Sequence, residues 1–143
     1  MTALMDALMD DMGFLRARIP AYADYGDEDA RHLVDKQVRA YVGEALSSLR
    51  ERHNSALAEE LAEALERVLM MCEFTNQQLI AMLGHARLTE VMLSELHHVD
   101  HDLVRAADRA VEVEVAALEA YLEELDHLFA RRAKAVAWLE DRR

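Results

Sequence analysis

The stretch SELHHVDHDL, residues 94–103, places three histidines and three acids within ten positions. On a helix, His97 and His101 are four residues apart and His98 and His101 three apart. Either pair sets two imidazoles on adjacent turns, the arrangement that chelates a divalent ion such as zinc or nickel. Two helical ligands alone make a weak site, and Asp100 or Asp102 would be needed to complete it. Glu95 and His98 also form an E-x-x-H pair, a carboxylate and an imidazole on one helical face, and Glu124 with His127 repeats it further along. Carboxylates with imidazole suit iron or manganese with positions left open for oxygen. The candidate metal ligands are therefore Glu95, His97, His98, His101, Glu124 and His127. Against them stands an ordinary solvated helix face, because Leu96, Val99 and Leu103 take the inward positions and turn the histidines toward the flank or solvent.

Other chemistries find little support. Cys72 is the only cysteine, so no intramolecular disulfide forms, and its apolar neighbours read as core around a small hydrophobe. There is no glycine-rich phosphate loop, nucleophile elbow or paired-cysteine motif. A net charge of −12 repels phosphate backbones and anionic lipid, which argues against nucleic acid and membrane surfaces as partners. No run of about 18 apolar residues is present, and the expected location is the cytoplasm.

The elements that must position these residues are helical. A composition 52% hydrophobic but only 6% aromatic, with four glycines and one proline, describes a helix-rich chain with a core of Leu, Val, Ala and Met. One domain over residues 1–143 is expected: a short helix at about 2–18, a linker at about 19–27 and a bundle from about 28 to 143. In the first helix Met5, Leu8, Met9 and Met12 form an apolar face, with Asp6, Asp10 and Asp11 on the other side. Pro20 ends it. The linker carries Ile19, Tyr22 and Tyr25, which can pin it to the bundle; Tyr and Arg are also common interface anchors. Ile19, Tyr22, Tyr25 and Arg31 are accordingly the candidate partner-binding residues.

The second helix begins near Glu28, with Asp27 as its cap, and carries Val34, Val38, Tyr41, Ala45 and Leu49 along one seam. Gly43 interrupts it, and Arg31, Asp35 and Arg39 make an (i, i+4) charge ladder. The third helix is expected over Ala56–Leu83, with Leu61, Leu65, Val68, Cys72, Thr75, Leu79 and Met82 alternating steps of four and three, and Gly84 ending it. Beyond Gly84 no glycine or proline occurs, and the apolar period predicts a single helix of about 54 residues, roughly 80 Å long. Helices half that length cannot cover it. Either it breaks near His98 to Asp102, with Asp100 capping a new start, or its distal half pairs with a second copy, which makes a homo-oligomer, a dimer first, the expected state.

Three resemblances bear on function. The two E-x-x-H pairs resemble those of ferritin-like di-iron bundles, in which two further helices each supply a Glu, here Glu44 and Glu63; the pairs in this chain lie 29 residues apart, with no Glu-bearing helix between them. Glu60 with Glu63 and Glu123 with Asp126 are similar to the magnesium-holding pairs of all-α nucleotide pyrophosphohydrolases, at about twice the separation that motif allows. Residues 18–42 resemble a segment of uncharacterised small helical proteins of bacteria, which implies no activity. The expected fold is an all-α antiparallel bundle of three to four helices with coiled-coil-like seams and a long C-terminal helix. The expected function is non-enzymatic, through self-association and docking of a protein partner, without a cofactor; the alternative is a metal-binding bundle that takes a divalent ion.

Overall fold

The structure, a computed structural model, describes residues 3–22, 28–73 and 90–137, and among these lie five α-helices and no strand. They are α1 (Ala3–Arg18), α2 (Glu28–His53), α3 (Glu59–Glu73), α4 (Glu90–Asp108) and α5 (Val115–Ala137). None of the described helices is long and apolar enough to cross a membrane. Asp27, Gly84 and the expected seam residues Thr75, Leu79 and Met82 lie outside the described residues.

The apolar period builds the core, with one shift in α2: the expected Tyr41 and Ala45 are partly buried, and Val42 and Leu46, one residue on, take the inward positions. Val34, Val38, Val42, Leu46 and Leu49 of α2 are buried, and so are Leu65, Val68 and Cys72 of α3, Leu96, Val99 and Leu103 of α4, and Leu118, Leu122 and Leu125 of α5. Pro20 follows directly on the end of α1, where the Ile19 amide donates to the Leu15 carbonyl at 2.7 Å and the Tyr22 amide to the Ile19 carbonyl at 2.8 Å. In α1, Leu15 points inward, whereas Met9, expected on the packing face, is 57% exposed. Asp11, expected among the solvent-facing acids, is buried against α4.

The single long C-terminal helix is not formed, and the break is not at His98–Asp102, which lie inside α4. The chain leaves the α-helix at Arg109, makes a 3-10 turn over Arg109–Glu112, and passes through an extended Val113 before α5 begins. Residues 111–115 read VEVEV, alternating β-branched valines that lower helix propensity where no glycine or proline marks a stop. The carbonyls released there are taken up by the end of α2. Arg52 donates to the Ala110 and Val113 carbonyls at 2.9 and 2.8 Å, and His53 Nε2 lies 2.9 Å from the latter. Beyond the break α5 folds back along α4: the Tyr121 hydroxyl donates to the Ala106 carbonyl at 2.6 Å, and Arg132 reaches Asp100. The uncovered distal helix that called for a second copy is therefore covered from within the chain.

Gly43 is half-buried in the contact of α2 with α3, and a β-carbon added there would lie 3.1 Å from that of Cys72. Its cost in helix propensity is offset by the close approach it permits. Gly43→Leu is expected to lower stability by about 1–3 kcal/mol in urea unfolding, despite a gain of about 1 kcal/mol in propensity.

Three groups set the alkaline limit of this packing, and burial raises one of them, the Tyr121 phenol, beyond the range of the other two. Burial pushes the Cys72 thiol up to about 12, with Arg39 opposing weakly. Burial and the hydrogen bond that the Tyr41 hydroxyl gives to Asp108 push that phenol to about 12 as well. Both are neutral in the fold, so their contribution is full below their ordinary values of 9.0 and 10.0 and is lost as pH rises from there through about 12. The urea midpoint is expected to fall steadily above pH 9, and Cys72→Ala with Tyr41→Phe to flatten that fall.

Candidate metal centre

Two polar clusters grow from the histidine stretch, on different faces of α4. His97 is 1% exposed and belongs to the interior. The Tyr22 hydroxyl donates to Asp100 Oδ2 at 2.8 Å and lies 2.6 Å from His97 Nδ1. The phenol has one proton and the carboxylate accepts it, so His97 Nδ1 carries the proton of the second bond. Asp100 Oδ1 receives Arg132 Nε at 2.8 Å, and the same guanidinium bonds Asp35 of α2. Asp35 in turn accepts from Arg39 Nε at 2.9 Å, and Arg39 continues to the Cys72 carbonyl at 2.9 Å. The Asp35–Arg39 step of the expected (i, i+4) ladder is thus formed, and it is buried. This network links the Tyr22 turn with α2, α3, α4 and α5 and consumes its own donors and acceptors.

The second cluster lies toward solvent. His98 Nδ1 is 3.2 Å from Asp11 Oδ2, His101 Nδ1 is 4.0 Å from Asp11 Oδ1, and the two imidazole rings are stacked 5.9 Å apart at 4°. Asp11 comes from α1, whose approach to α4 is set by Leu15, Phe14 and Ile19. One ligand atom from each of Asp11, His98 and His101 lies within 4.8 Å of the others. Tetrahedral zinc, with donors about 2.0–2.2 Å from the ion, requires these atoms to draw together to about 3.5 Å of one another.

No family model, curated protein or solved structure matches this chain. The chemistry of the site therefore rests on its donors and on what orients them. Asp102 Oδ2 lies 3.7 Å from His98 Nε2, and Asp102 Oδ1 lies 3.1 Å from His101 Nδ1. A carboxylate bonded to the ring nitrogen opposite the ligating one fixes the tautomer of a metal-bound histidine, and Asp102 stands on that side of His98, outside hydrogen-bond distance. Burial alone would raise its carboxyl; hydrogen bonds from Arg131 and His101, with the charges of His98 and Arg131, hold it below the ordinary range. Arg131 bonds Asp102 at 2.8 Å and Glu95 at 2.9 Å.

Of the ligands expected from spacing, His98 and His101 are brought together. Glu95 stands one step out, paired with Arg131, and His97 faces Tyr22. Glu124 pairs with Arg109 and lines, with Asp102 and Leu128, a groove of about 320 Å³. His127 is exposed on α5 and belongs to neither cluster, so the two E-x-x-H pairs do not converge on one centre. Asp11 was missed because its only signal in sequence is a single acid in the first helix, 87 residues before His98.

The partner-binding candidates are divided too. Ile19 and Tyr22 are 8% and 2% exposed and pin the linker to the core, so their surface is spent within the chain. Arg31 is half-buried on α2, and Tyr25 lies outside the described residues.

Proposed function

We propose that this chain is a helical bundle that binds one divalent transition-metal ion between α1 and α4. Asp11, His98 and His101 are its ligands, and Asp102 is the carboxylate on the far side of the His98 ring. The observation that carries this reading is Asp11. It supplies from a second element the third donor that helical spacing alone lacked. Two imidazoles and one carboxylate suit ions of the zinc and iron class over calcium or magnesium, which prefer oxygen alone. His98 is half-exposed, with 49% of its side chain accessible, which leaves room for water as a further ligand. The groove beside Asp102 is lined by none of the three ligands, which favours binding over catalysis as the site's role.

The test is calorimetric titration of zinc into the full chain. One ion per chain is expected. Asp11→Asn, His98→Ala and His101→Ala are each expected to weaken binding about tenfold or more, and the double histidine variant to remove it. An affinity unchanged in the double variant would overturn the assignment.

A further inference from the structure

We infer that metal binding and the docking of α1 onto α4 are one coupled equilibrium, so that the ion acts as a latch on the N-terminal helix. The inference rests on the metal reading above. Its basis is that the ligands come from two elements of unequal anchorage. His98 and His101 belong to α4, which packs against α1, α2 and α5 and sinks Leu96, Val99 and Leu103 into the core. Asp11 belongs to α1, whose main neighbour is α4 itself.

Among the described residues α4 is the one extensive neighbour of α1, and the burial of α1 is described over residues 9–18. Leu15 is buried and Met12 and Phe14 are half-buried, while Met9, Asp10, Gly13, Arg16, Ala17 and Arg18 are exposed. Among the described residues its polar contacts with α4 include the ion pair of Arg18 with Asp108 and the approach of Asp11 to His98 and His101. His101 serves twice in this contact. Its Nδ1 lies 3.1 Å from Asp102 and 4.0 Å from Asp11, while its ring meets that of Phe14 at 55° with centroids 4.3 Å apart, and the Arg18 guanidinium covers the Phe14 ring at 3.6 Å. An ion that fixes His101 therefore fixes the surface on which α1 rests, as well as tying α1 directly through Asp11.

The thermodynamic consequence follows from linkage. An undocked chain keeps His98 and His101 on adjacent turns of α4 but loses the third donor, so it binds the ion more weakly. The ratio of the two affinities is the factor by which the ion favours docking, and docking raises affinity by the same factor.

Hydrogen exchange of the full chain with and without zinc reads this ratio at the amides of residues 9–18, with residues 65–72 of α3 as the reference for opening of the whole fold. Zinc is expected to slow exchange in α1 by about 5- to 150-fold, the ordinary range of coupling between sites, while the α3 amides, which open only with the whole fold, slow by the full binding factor. In Asp11→Asn zinc still binds, more weakly, and the slowing in α1 drops below about twofold. Zinc bound by calorimetry without slowing of α1 would overturn the latch and leave the metal site standing. Absence of zinc binding to the unaltered chain would overturn both.

Discussion

Arg132→Ala is expected to destabilise the protein by about 3–5 kcal/mol, a large share of the roughly 5–15 kcal/mol available to a domain of this size. The Arg132 side chain is 3% exposed and bonds Asp35 of α2 and Asp100 of α4, both with no exposed surface. Truncation removes a charge from the interior and leaves two carboxylates there, Asp35 still paired with Arg39 and Asp100 still accepting from the Tyr22 hydroxyl. The penalty is the desolvation of charges that have lost a partner, which exceeds what the intact pairs contribute over an apolar core. Replacing the network as a unit, with Arg132→Met, Asp35→Leu, Asp100→Leu, Arg39→Met and Tyr22→Phe, is therefore expected to recover much of the loss. Urea unfolding checks both, and an Arg132→Ala variant within about 1 kcal/mol of the unaltered chain would show that water reaches this network.

The second large effect is ligand-induced stability. At a free zinc concentration one hundred times its dissociation constant, the folded state gains about 2.7 kcal/mol, provided the unfolded chain binds little. For a chain of this length that corresponds to a rise in Tm of about 5–10 °C. Excess chelator is expected to reverse the shift, and the His98→Ala, His101→Ala double variant to show at most about a tenth of it. Calorimetry at fixed protein concentration measures the shift. A rise of the same size in the double variant would place the stabilising ion elsewhere on this acidic surface.

How far the sequence foretells these features differs from residue to residue. The seams through Val34, Val38 and Leu49 and through Leu96, Val99 and Leu103 are legible because burial imposes the helical period on side-chain type. Pro20 is legible because its ring acts on the backbone locally. The break at Arg109–Glu114 carries only the weak sign of alternating valines, and what completes it is Arg52, a residue 58 positions before Ala110. The charge ladder Asp35–Arg39 has the same spacing whether it faces water or the core, and only the arrival of Arg132 from α5 decides that it is buried.

The same reasoning applies to the metal centre. His101 shares a face by spacing with His97 as well as with His98, and the packing of α4, which buries His97 against Tyr22, decides between the two pairs. Asp11 could not be read from the chain, since its meeting with His98 depends on how α1 lies on α4. Local spacing thus offers two histidine pairs, and tertiary packing chooses between them and supplies the third ligand.

The central claim is that one ion sits between Asp11, His98 and His101. Anomalous diffraction at the zinc edge, from crystals grown with zinc equimolar to the chain, tests it most directly. The account predicts one peak per chain about 2.0–2.2 Å from a carboxylate oxygen of Asp11 and from one ring nitrogen each of His98 and His101. A peak of full occupancy on other residues, with this trio unliganded, would contradict it.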